Sequence, residues 1–121
     1  MATAITVTVD AVNYVFTPDS TQQDAVRFGE ASSTLVLPRT LMLRRVYPKK
    51  QKDYPGNARN NLKTTRTVLL SDGNTAAGII FDTSVSRRAD VAAGDFLLAR
   101  KIHAALLQDS ELDGFFSNLA L

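Results

Sequence analysis

Apolar and polar positions alternate along most of the chain and then change period near residue 90. Ile5, Val7 and Val9 alternate with Thr6, Thr8 and Asp10, the period-two pattern of a strand with one apolar face. Val12 to Phe16 predicts a second strand, and the residues between suffice only for a tight connection, so an N-terminal hairpin is expected. Thr17-Pro18-Asp19-Ser20 is a turn cluster that should end it. Ala25 to Glu30 predicts a shorter strand, with Val26 and Phe28 alternating against Arg27, and Ala31-Ser32-Ser33 a loop. Thr34 to Leu37 extends or precedes the next strand, and Pro38 argues against a central position for it. Thr40 to Tyr47 is a clear strand stopped by Pro48, and Lys49 to Asn61 has the Pro, Gly and Asn of a long exposed hairpin loop. Leu62 to Leu70 is the returning strand, and Asp72-Gly73-Asn74 a tight turn. The last strand is Thr75 to Val85, with Ile79, Phe81, Thr83 and Val85 on one side and Gly78, Ile80, Asp82 and Ser84 on the other.

Ser86 to Ala89 leads into a segment of helical period. Asp90 is a good N-cap for a helix running to Gln108. Leu98, Ile102, Ala105 and Leu106 form one apolar stripe, and Phe96, His103 and Leu107 a second, leaving a narrow polar sector around Lys101 and Gln108. A surface helix needs one apolar face, so a helix apolar around most of its girth is expected to contact two things, its own sheet and a partner subunit. Ser110-Glu111-Leu112-Asp113 resembles a capping box and opens a short second helix carrying Leu112, Phe115, Phe116 and Leu119. Strands first and helices last predict an α+β fold, an antiparallel meander with helices laid on one face. The length fits a single domain over 1–121, with a hairpin at 1–17, an antiparallel sheet at 24–86 and two helices at 90–121.

Charge changes this picture more than composition does. Of fourteen basic and twelve acidic residues, nine and one fall between Arg39 and Arg66, which leaves five and eleven elsewhere. A basic block beside an acidic remainder suggests a polyanionic partner for the central strand pair, against the plainer reading of a solvated basic loop. The absence of cysteine excludes disulfides and thiol catalysis and removes the commonest zinc ligands. No apolar run approaches the length of a membrane span, and MATAITVTVD lacks the basic and apolar regions of a signal peptide, so neither is expected.

Candidate chemistry is sparse. His103 is the only histidine and lies in a helix on a partly apolar face, where a packing or interface role is the better reading. Asp109, Glu111 and Asp113 resemble a metal cluster but flank a helix start, where the macrodipole favours acids. No glycine-rich phosphate loop or nucleophile motif is present, so no enzyme, catalytic residue, cofactor, metal or small-molecule substrate is expected. The central strands are more informative. Lys63, Thr65 and Thr67 fall on one face of their strand, with Thr40, Met42 and Arg44 on the corresponding face of the preceding one. Small hydroxyls beside cations on a sheet face suit phosphate and base contacts, although an exposed polar face would look the same.

The order of parts resembles the coat proteins of single-stranded RNA bacteriophages over nearly the whole chain. The resemblance rests on the hairpin ITVTVDAVNYVF, the strand–basic loop–strand unit LMLRRVYPKKQ…NNLKTTRTVLL, and the final ARKIHAALLQDSELDGFFSNLAL. It implies a hairpin, a five-stranded antiparallel sheet and two helices, in an intertwined dimer whose sheets join edge to edge while each long helix crosses onto the partner's sheet. It further implies an icosahedral shell, commonly of T=3 type, assembled in the bacterial cytoplasm around single-stranded RNA, and in several members repression of translation through an RNA hairpin. By this resemblance RNA would meet Arg44, Lys63, Thr65, Thr67, Ile80 and Asp82, and the dimer interface would include Phe96, Leu98, Ile102, His103, Leu106 and Phe115. The family's frequent stacking tyrosine on the last strand is replaced here by Ile79 or Ile80, so packaging by general charge is expected ahead of a specific operator. The alternative is a dimeric RNA-binding module that builds no shell. In a shell the N-terminal hairpin would lie on the outer surface, and a simple RNA module has little need of it.

Overall fold

The computed structural model describes residues 3–120, and the chain divides between Ala89 and Asp90 into a sheet unit and a helical unit. The sheet unit has six strands in chain order: β1 (Ile5–Val9), β2 (Val12–Gln22), β3 (Ala25–Glu30), β4 (Arg39–Val46), β5 (Asn57–Leu69) and β6 (Ala76–Arg88). Each is antiparallel to the one before, so every connection closes a hairpin and the expected meander is present.

Two strands are longer than their sequence suggests. Thr17-Pro18-Asp19-Ser20 does not end β2, which runs on to Gln22 with a register break between Pro18 and Ser20. β1 pairs only with Val12–Phe16, so beyond Phe16 β2 is an edge on that side. Proline is tolerated at an edge and at a bulge, where no ladder hydrogen bond is forfeited. This length joins the hairpin and the remaining strands into one six-stranded sheet, in place of a hairpin beside a five-stranded one. β3 meets β2 only from Phe16 onward, so the β1–β2 hairpin overhangs the end of the sheet and leaves Val7, Val9 and Val12 exposed. Its turn residues, Asp10 and Ala11, both take positive φ, 50° and 65°, as a two-residue hairpin turn requires.

The second extension is at β5, which starts at Asn57, five residues before the expected Leu62. The connection before it is correspondingly shorter and is fixed by reciprocal backbone hydrogen bonds between Gln51 and Tyr54 (2.8 and 2.6 Å). Gly56 has φ 87°, and a Cβ there would lie 2.5 Å from the Lys49 carbonyl oxygen, so only glycine fits. β6 runs through Ser86 to Arg88, which were expected to lead out of the strand. The Asp72 turn forms as expected. Its carboxylate accepts from the Thr75 hydroxyl (2.6 Å) and from the N–H groups of Asn74 and Thr75 (both 2.9 Å), which hold the carboxyl below its ordinary pKa, the Thr75 hydroxyl most of all.

Alternation assigns every strand residue to one of two faces. On the apolar face Phe28 and Leu41 are register partners and, at 2% and 6% exposure, the buried apolar residues among those described. Val26, Leu43, Thr64 and Val68 flank them half-buried, while Leu62, Ile79 and Phe81 on the same face stay exposed.

The helical unit contains α1 (Ala93–Gln108), a 3₁₀ turn (Ser110–Leu112) and α2 (Asp113–Asn118). α1 starts three residues after the expected cap: Ala92 occupies the N-cap and no side chain caps it, because Asp90 lies in the preceding turn. The second start signal is Asp109, one residue before Ser110. Its carboxylate accepts the Glu111 N–H at 2.8 Å and so satisfies an otherwise unpaired donor of the 3₁₀ turn. Leu119 ends α2 in the left-handed conformation, its N–H reaching the Phe115 carbonyl at 3.0 Å. Neither helix has a buried residue.

Candidate nucleic-acid interface

The polar face is built chiefly by β4, β5 and β6. Their register sets Thr40 opposite Thr65, Met42 opposite Lys63, and Arg44 opposite Asn61, and then Thr65 opposite Ile80, Lys63 opposite Asp82, and Asn61 opposite Ser84. All six residues that the sequence assigns to RNA contact therefore share one face. Thr67 stands apart, because it is only 8% exposed at its position opposite Gly78. Val46, Ile80 and Leu69 are apolar interruptions of this face, all exposed.

The sequence reading missed Arg59 and Asn61 by ending the long loop at Asn61, and Arg27 and Ser86 by following other strands. Carrying the alternation of Lys63 and Thr65 back by two and four residues reaches Asn61 and Arg59. Their poor strand propensity is what hid them. Asn61 is the organising side chain of this region. Its amide nitrogen donates to the Asp82 carboxylate, to Ser84 Oγ at 3.0 Å and, more loosely, to the Thr83 carbonyl at 3.4 Å. Asp82 is thereby held by an amide instead of pairing with Lys63 opposite. A hollow of about 580 Å³ opens here, lined in part by Arg44, Arg59, Asn61, Asp82, Ser84 and Ser86.

Four cations of this face make no internal ion pair. Among the described residues Arg27, Arg44, Arg59 and Lys63 make no ion pair, and Arg44 Nε donates only to Met42 Sδ at 3.1 Å. Among the described residues the apolar face holds two ion pairs, although its Arg39 makes none and donates to the Ser32 hydroxyl. There Glu30, 8% exposed, takes Arg66 at 2.9 Å and the Ser32 hydroxyl at 2.9 Å, and the Arg66 guanidinium lies 5.5 Å from the Tyr14 ring. Arg45 meets Asp24 at 3.4 Å. Cations free of ion pairs, interleaved with hydroxyls on a regular lattice, can bind phosphates along an extended strand of nucleic acid.

The expected interface residues of the helical unit are open: Leu98, Ile102, Leu106 and Phe115 are 42–59% exposed, His103 is exposed and Phe96 half-buried. No group of three or more potential metal ligands occurs among the described residues, and no described helix is long and apolar enough to cross a membrane.

No protein-family model and no curated protein matches the chain. Solved structures do. The chain of the virus-like particle of bacteriophage GQ-907 superposes with a TM-score of 0.79 at 18% identity, over 99% of this chain and 92% of that one. That of Beihai levi-like virus 32 gives 0.77 at 20% identity, over 85% and 83%. The bacteriophage EMS014 coat protein gives 0.64 at 18% identity, over 88% and 74%. The chain has the RNA-phage coat-protein fold. At these identities the coat-protein fold is shared while the side chains on its faces are largely this chain's own, so the polar face must be read from its own residues.

Proposed function

We propose that the chain is a capsid subunit that dimerises, assembles into an icosahedral shell and packages single-stranded RNA against the polar face of its sheet. The observation that carries this reading is the fold, shared over nearly the full length with chains that form virus-like particles. Three features of this chain support it. Apolar surface is left open on Leu62, Ile79 and Phe81 of the sheet and on Leu98, Ile102 and Leu106 of α1, more than a solvated monomer has reason to expose. The overhanging β1–β2 hairpin has little to stabilise it alone and gains from packing on another copy. On the polar face Arg27, Arg44, Arg59 and Lys63 make no ion pair with a described residue.

In this reading the long edge strand β6 joins its counterpart in a second copy, and the apolar helix surface covers the partner's sheet. Arg44, Lys63 and Thr65, joined by Arg59 and Asn61, line the RNA side, with Ile80 and Asp82 beside them. The subunit is non-enzymatic, assembles in the host cytoplasm and resides in the virion. Translational repression through an RNA hairpin is a further role of the same face. Expression of the chain in bacteria, followed by negative-stain microscopy and nuclease treatment, tests the reading. Closed particles with nuclease-protected RNA are expected. A soluble dimer that binds RNA without particles would establish the non-capsid RNA module instead.

A further inference from the structure

Single-stranded RNA is held by charge along its backbone and by stacking of its bases on aromatic rings. The polar-face positions of β4, β5 and β6 supply the first and not the second, since none is Phe, Tyr or Trp. One ring is nevertheless brought to the end of that face. Tyr54 lies in the β4–β5 connection, its hydroxyl donating to Asn57 Oδ1 at 2.6 Å and the Arg88 guanidinium 5.1 Å from its ring centroid. Asn57 and Arg88 are register partners and form the last rung of β5 and β6, on the same parity as Arg59, Asn61 and Lys63.

The ring is fixed from behind as well. The Gln51–Tyr54 bridge sets its backbone, and Gly56, packed against the Lys49 backbone, sets the return of the loop into β5. With these constraints Tyr54 remains 40% exposed, and the flanking Lys49, Lys50 and Lys52 are exposed around it. A tyrosine that served only to brace the loop would be expected to hide its ring. This one is tied by its hydroxyl to Asn57, carries Arg88 over the ring and still leaves surface exposed, so less entropy is lost when a flat ligand settles on the free side.

We propose that Tyr54 is a stacking platform for an unpaired nucleobase of single-stranded RNA, with Lys49, Lys50 and Lys52 meeting the neighbouring phosphates. The inference rests on the RNA-packaging reading and adds to it a base contact outside the strands. Stacking accepts any base, so the platform adds affinity and no strong sequence preference.

The test compares the wild-type chain with Tyr54→Ala and Tyr54→Phe, using a short labelled oligouridylate and an abasic oligomer of the same length. Tyr54→Phe removes the hydroxyl bonded to Asn57 and keeps the ring. Tyr54→Phe is expected to bind oligouridylate like wild type and Tyr54→Ala about tenfold more weakly, within the range measured for losing one stacked base. The abasic oligomer is expected to bind all three alike. Equal losses on both oligomers, or no loss on either, would overturn the inference while leaving the RNA reading intact. A wild-type chain that binds neither oligomer would remove both. Photocrosslinking of halogenated oligouridylate to the wild-type protein gives a readout independent of folding: an adduct at Tyr54 is expected, and adducts confined to the strands would contradict the platform.

Discussion

On the apolar face of the sheet Arg66 meets Glu30 at 2.9 Å and Arg45 meets Asp24 at 3.4 Å, whereas on the polar face Arg27, Arg44, Arg59 and Lys63 meet no described carboxylate. The faces share their strands, hydrogen-bond ladder and twist. They differ in what the charge must do. A carboxylate as hidden as that of Glu30 is retained only if its oxygens are satisfied, and Arg66 and Ser32 satisfy them. Exposed cations need no internal partner for folding. Leaving them unpaired keeps them available to phosphates, whose condensed counterions are released on binding. Asp82 belongs to the same logic: the Asn61 amide, itself anchored on the Ser84 hydroxyl, holds it, and it makes no ion pair with Lys63.

If the faces divide labour in this way, substitutions should separate stability from RNA binding. The largest effect is expected at the core. Phe28→Ala removes the most buried side chain of the apolar face and should cost about 3–5 kcal/mol in chemical denaturation. A cost under about 1 kcal/mol would mean that the apolar face is not the folding core. Glu30→Gln comes next. It leaves Arg66 without its counter-charge, and because that side chain is 43% exposed the expected loss is about 1–3 kcal/mol. The polar face should behave in the opposite manner. Arg44→Glu with Lys63→Glu should change stability by no more than about 0.5 kcal/mol per site, yet reduce RNA content and flatten the salt dependence of RNA affinity by roughly two phosphate contacts. Unchanged RNA content in purified particles would move the binding face elsewhere.

The smallest effect is expected at the Asp72 turn. Its carboxyl is held below the ordinary value by the Thr75 hydroxyl and by the backbone of Thr75 and Asn74. A depressed folded-state pKa stabilises fully above the unfolded value, and that contribution disappears as pH falls through the depressed one. Protection of the Asn74 and Thr75 amides, relative to their intrinsic exchange rates, should therefore fall in acid in the wild type and show no such step in Asp72→Ala. An acid step that persists in the variant would assign it to another group.

Much of this division was legible in the sequence. Period-two alternation set Leu41, Leu43, Phe81 and Ile79 against Lys63, Thr65, Ile80 and Asp82, and the register keeps those assignments. The change of period near Asp90 separated sheet from helices. What escaped depends on neighbours distant in the chain. Pro18 looks like a strand terminator until β1 is seen to stop short of it, which leaves an edge where proline costs little. Arg59-Asn60-Asn61 looks like loop because its residues have weak strand propensity, and the Asn61 hydrogen bonds to β6 that compensate exist only in the folded sheet. Thr67 has the right parity for a ligand contact but is buried, and burial is not a property of spacing. Tyr54 gave no signal at all, since its place depends on Arg88, far along the chain.

The contrast between the faces is tested most directly by electron cryomicroscopy of nuclease-treated particles formed by the wild-type chain. RNA density is expected against the polar face, in contact with Arg44, Arg59, Asn61 and Lys63, with protein alone covering Phe28, Leu41 and Phe81 on the apolar face. RNA density on the apolar face, or closed particles with none on the polar face, would contradict it.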